Sequence, residues 1–121
     1  MRKMLVVTAL LVATPSWGKM RSPLSEADPV LTQRMWQCRY QYMMAVLTGL
    51  DSCPDWQLTS VGHESVTHLG AKRDAACTSF AQELVAMEHR RLHRAGWCNY
   101  WGNYWVDSRT TSDGPMVAPR R

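Results

Sequence analysis

The first eighteen residues constrain this chain more than any other stretch. Arg2 and Lys3 open it with positive charge. Met4 to Ala13 form an apolar run interrupted only by Thr8. Pro15-Ser16-Trp17-Gly18 close it, with small residues at −3 and −1 of a cut after Gly18. This is the layout of a secretory signal peptide. The apolar run is far shorter than the roughly 20 residues that span a bilayer, so residues 1–18 are expected to be removed and not to anchor the protein. No cysteine follows the cut directly, so a lipid anchor is not indicated. The remaining chain would start near Lys19. It would carry Cys38, Cys53, Cys77 and Cys98 into an oxidising compartment, periplasmic or secreted.

Removing 18 of 121 residues leaves 103, the size of one domain. Residues 19–27 contain Pro23 and two serines without apolar periodicity. Residues 107–121 are rich in Ser, Thr, Asp, Gly, Pro and Arg. Both ends are expected to be loose, a flexible N-terminal segment and a disordered C-terminal tail. The ordered part, 28–106, holds only a small core, and crosslinks are the usual remedy for that shortage. Four cysteines in an exported chain therefore predict two disulfides.

Of the 14 Lys and Arg, two leave with the leader. Twelve basic and 10 acidic side chains remain, a net charge of +2. That balance gives no argument for nucleic acid. The one basic cluster, Arg90, Arg91 and Arg94, closes a predicted helix. Pairing with the negative end of the helix dipole is its ordinary role, and contact with an acidic partner or anionic headgroups is the functional alternative.

The periodicity predicts an all-α fold, a disulfide-stapled bundle of two to three helices. Asp28-Pro29 reads as N-cap and first helical residue. Leu31, Met35, Cys38, Tyr42 and Val46 then recur at helical spacing, with Trp36, Tyr40, Met43 and Leu47 beside them and Gly49 as the expected C-cap. Cys53-Pro54-Asp55 reads as a turn. A weaker helix starts near Thr59 or Ser60. Residues 60–95 read either as one kinked helix or, the favoured reading, as two with a break at 70–74; Asp74 then caps a strong helix whose row is Cys77, Phe80, Leu84, Met87 and Arg91 and which ends near Ala95-Gly96. No alternation long enough for a strand appears. Residues 97–106 repeat Asn-Tyr-Trp and could be a weak helix or a loop over the core.

Packing the first and last helices antiparallel would bring Cys53, just past the first, to Cys77, at the start of the last. That favours the pairs 53–77 and 38–98, with 38–77 as the main rival.

No constellation for catalysis emerges, and the chain is expected to be no enzyme. His89 and His93 are spaced i, i+4, but no third ligand accompanies them, so no metal and no cofactor is expected. His63-Glu64 and His68 miss the zinc-protease spacing by one residue. The cysteines lie too far apart for a zinc or redox pair. Met35, Met43 and Met44 read as core filler. Glu64, Asp74, Glu83 and Glu88 read as helix-surface acids. The least ordinary feature is the aromatic cluster Trp97, Tyr100, Trp101, Tyr104 and Trp105. Either it lids the core, or with Arg90, Arg91 and Arg94 it contacts a partner protein. A membrane surface or cell wall is the alternative partner.

Cys38, Tyr42, Ala45, Val46, Cys53, Pro54, Ala81, Leu84, Val85, Trp97 and Cys98 carry one resemblance. Residues 38–98 look like the small periplasmic immunity proteins that block type VI secretion amidases. Cys77 is additional to that pattern, Ala45 stands where a glycine is expected, and the aromatic segment runs beyond the usual end. The resemblance implies an inhibitor that plugs the active site of a toxin. The function expected from the chain is thus an exported, non-enzymatic protein-binding domain, in its sharper form an inhibitor or immunity factor for a secreted or periplasmic hydrolase. An envelope-surface module binding lipid or glycan is the alternative.

Overall fold

The computed structural model describes residues 20–24, 28–107 and 112–121. The expected leader lies outside the described residues. The architecture is mostly helical: α1 Pro29–Gln37, α2 Arg39–Leu50, β1 Trp56–Leu58, α3 Ser60–Leu69, α4 Ala75–Trp105 and β2 Val117–Pro119.

Local chemistry sets the helix starts. Asp28 accepts the Leu31 N–H, with Pro29 at the first helical position. Thr59 accepts from Gly62, and Asp74 from Cys77. The single helix expected from Pro29 is bent at Cys38 (φ −106°, ψ 26°), although its i→i−4 bonds continue through Cys38. Gly49 is no C-cap, because α2 runs on to Leu50 and is capped by Asp51. Gly49 instead clears room for an indole: a Cβ there would sit 2.7 Å from Cη2 of Trp97. The expected break at 70–74 separates α3 from α4.

The disulfides are Cys38–Cys77 and Cys53–Cys98, with Cα separations of 5.0 and 6.0 Å. The favoured pairing, 53–77 with 38–98, is therefore wrong. The reason is direction. α3 intervenes as a full helix and carries the chain back, so α4 begins beside the beginning of α2. Cys38 at the N-cap of α2 meets Cys77 in the first turn of α4. Cys53, beyond the end of α2, is left to meet Cys98 further along α4.

The expectation of loose ends also fails where the chain is described. Met20 and Ser22 are buried. In the C-terminal segment β2 pairs antiparallel with β1, Leu58 opposite Val117, and Met116 and Val117 enter the core. Arg120 fastens this end, donating to the carbonyls of Asp51, Cys53 and Trp56. A three-residue strand offers too little alternation to be read in a sequence. It exists because the loop after α2 presents an edge for it.

The core gathers Tyr42, Val46, Leu47 and Leu50 of α2, Ala81 and Leu84 of α4, the indoles of Trp97, Trp101 and Trp105, and Leu58, Leu69 and Val117 from the surrounding elements. No helix among the described residues is long and apolar enough to cross a membrane.

Candidate functional site

α4 is two helical limbs joined at His93, where the backbone leaves helical geometry with φ 61° and ψ 167°. No other non-glycine among the described residues has a positive φ. This region of backbone space belongs almost wholly to glycine and costs about 1–3 kcal/mol in any other residue. The chain adopts it for the aromatic residues that follow. In a straight helix Trp97 and Trp101 would lie about 13 and 20 Å along the axis from Glu88. After the bend both indoles turn back upon it. Trp97 Nε1 donates to Glu88 Oε1 at 2.9 Å, and Trp101 Nε1 to the same oxygen at 3.3 Å.

Glu88 is the centre of the interior. It is wholly inaccessible to solvent. Oε2 accepts from Ser22 Oγ at 2.5 Å and from the Tyr42 hydroxyl. Four donors from the N-terminal segment, α2 and the second limb of α4 thus converge on one carboxylate. Burial holds the Tyr42 hydroxyl far above the usual phenol range, and the charge and hydrogen bond of Glu88 push it the same way. The expectation that Glu88 is a surface acid is overturned. The neighbours that share its face are Leu84 and Ala81, which are buried and lie four and seven residues before it. Of the row expected to face inward, Leu84 is buried but the members beyond it are not. Met87 is 38 % exposed, and Arg91 is exposed. Because Glu88 meets no solvent, it organises the fold and cannot act on a diffusing substrate.

The aromatic cluster is helical and divides between core and surface. Trp97, Trp101 and Trp105, at i, i+4 and i+8, are buried. Tyr100 is 39 % exposed, its hydroxyl donating to the Arg21 carbonyl, and Tyr104 is half-buried. The three indoles expected as partner anchors are therefore core residues. Arg90, Arg91 and Arg94 remain exposed, flanking His93 on both sides. Arg94 donates to the Ser52 carbonyl, and the Cys53–Cys98 bridge lies beside that contact. His89 stacks on Trp97 across the bend, with ring centroids 4.4 Å apart. Burial holds the His89 pKa below its ordinary value, and the charge of Arg94 adds to this against the opposing pull of Glu88.

A concavity lies between α2 and the first limb of α4. It is an open groove of about 1050 Å³ whose lining includes Met44, Ala45 and Val85, with Lys72 and Arg73 contributed by the α3–α4 turn. Among the described residues, no group of three or more His, Cys, Asp or Glu could hold a metal ion.

Comparison of the chain with protein-family models, with curated proteins and with solved structures found no match in any of the three.

Proposed function

We propose that this protein is an exported, non-enzymatic domain that binds another protein through the bend of α4, acting as an inhibitor or immunity factor against a secreted or periplasmic hydrolase. One observation carries the reading: a strained backbone at His93 sits between Arg90, Arg91 and Arg94, all exposed, and is braced from beneath. Strain held in place by surrounding structure recurs at recognition and switch sites. Three guanidinium groups there suit an acidic surface, such as the rim of a carboxylate-containing active site.

The bracing is of the kind a rigid inhibitor needs. The Cys53–Cys98 bridge, the Arg94–Ser52 bond and the Glu88 cage all fix the limb that carries the bend. A pre-ordered surface loses less entropy on binding. Two disulfides suit an oxidising compartment, and the leader-like residues 1–18 favour the periplasm or the exterior.

The mature protein, immobilised beside an Arg90→Glu/Arg91→Glu double variant, tests this in periplasmic extract. Wild type should retain a hydrolase whose activity it suppresses, and the variant should lose it. Retention of nothing, or equal retention by both, would sink the proposal.

A further inference from the structure

We infer that the groove between α2 and α4, floored by Met44, Ala45, Ala81 and Val85 and headed by Lys72 and Arg73, binds a single-chain anionic amphiphile, a fatty carboxylate or an alkyl phosphate. This site is separate from the bend at His93 and does not depend on what the bend binds.

The groove has a polarity along its length. Gln41 near the start of α2 donates through Nε2 to the Lys72 carbonyl, which pins the α3–α4 turn to that end. Lys72 and Arg73 are the only cations lining the groove among the described residues. Tyr40 gathers further charge at the same end, with the Lys72 ammonium 5.5 Å and the Arg39 guanidinium 4.7 Å from its ring centroid. The single acid in the lining, Asp74, is turned to its own helix and accepts the Cys77 N–H. From Gln41 to Gly49, both of which line it, the groove follows α2 for about 12 Å at 1.5 Å per residue.

A volume of about 1050 Å³ lies at the upper end of small-ligand sites, which are mostly apolar with a few placed polar groups. The walls are helices whose backbone groups are already bonded to one another. An extended peptide laid there would leave its own N–H and C=O groups without backbone partners. An alkyl tail brings no such groups, and its anionic head matches the one charged end.

The test uses the mature, disulfide-bonded chain with myristate and dodecyl phosphate below their micelle concentrations. Titration calorimetry and the methyl resonance of Met44 are the readouts. One saturable site is expected for both amphiphiles, with a Met44 shift. Dodecyltrimethylammonium should bind at least tenfold more weakly, and inorganic phosphate should produce no Met44 shift. Lys72→Glu/Arg73→Glu, at exposed positions, should weaken both amphiphiles at least tenfold. Thr48→Trp, exposed on the groove wall, should block them independently of charge. The inference is overturned if neither amphiphile saturates, if the cationic amphiphile binds equally, if both variants bind as wild type, or if a glutamate-rich helical peptide occupies the groove while the amphiphiles do not.

Discussion

At Glu88 four donors close around one carboxylate, so the residue's worth depends on what replaces it. Glu88→Ala strands two indole N–H groups and two hydroxyls in a dry interior. Each unsatisfied donor costs about 1–3 kcal/mol, and breaking a buried charged cluster costs about 3–5 kcal/mol. Urea unfolding should show a loss in that range. Glu88→Gln keeps the oxygen that receives Trp97 and Trp101, and Ser22 and Tyr42 can rotate to accept from the new amide. Its loss should be about 1–2 kcal/mol. Equal losses for the two variants would mean that the cage matters only as filled volume.

His89 carries a second prediction at this scale. Its folded pKa lies below the ordinary 6.5, with burial against Trp97 as the first cause. Well above pH 6.5 the ring is neutral in both folded and unfolded chains, and its contribution does not change with pH. As pH falls from there towards the folded pKa, the unfolded chain takes up the proton first and stability is lost. The melting temperature should therefore fall between neutral pH and about pH 5.5, and His89→Phe should flatten that fall. An unchanged slope in the variant would assign the dependence to other groups.

Among the elements, α4 is the one whose shape is paid for in backbone strain. His93→Gly allows the left-handed conformation without a Cβ and should raise stability by about 1 kcal/mol. A decrease would show that the imidazole contributes more than its backbone costs. The disulfides belong to the same scale, since they record that α2 and α4 start together. Non-reducing peptide mapping should return 38–77 and 53–98. Replacing Cys53 and Cys98 by alanine should cost about 2–5 kcal/mol and loosen the bend. β2 is the third case. Truncation before Pro115 removes Met116, Val117 and the Arg120 contacts to the loop after α2. A clear drop in melting temperature is expected, and an unchanged value would make the strand an accessory.

For the molecule as a whole, the cut proposed after Gly18 must leave intact the N-terminal residues that the fold uses. Met20 and Ser22 are buried, and Ser22 serves Glu88. A cut after Gly18 spares both, whereas a cut beyond Ser22 would remove one of the four donors. Intact-mass measurement of protein from its host should place the start near Lys19. A start at Met1 would remove the argument for compartment.

Three helix starts were legible in the sequence because they rest on local chemistry, whereas the division at Cys38 and the run of α4 past the expected end at Ala95-Gly96 to Trp105 were not. Asp28-Pro29, Thr59 and Asp74 act within their own first turns, and Tyr42, Val46 and Leu47 share a face by periodicity alone. That the four cysteines pair was legible too, from their number and from the leader-like composition of residues 1–18. Which cysteines pair was not, because that depends on the relative direction of two helices and α3 sets the direction. Neither was Glu88, since an acid on a helix declares itself buried only when donors arrive from elsewhere in the chain. The same holds for β2, whose three residues become a strand only beside β1. Trp97 and Trp101 mark the boundary between the two kinds of information. Their sequence spacing put them on one face, but only the bend at His93 decided that the face turns inward, and so moved the candidate binding surface from the tryptophans to the arginines around the bend.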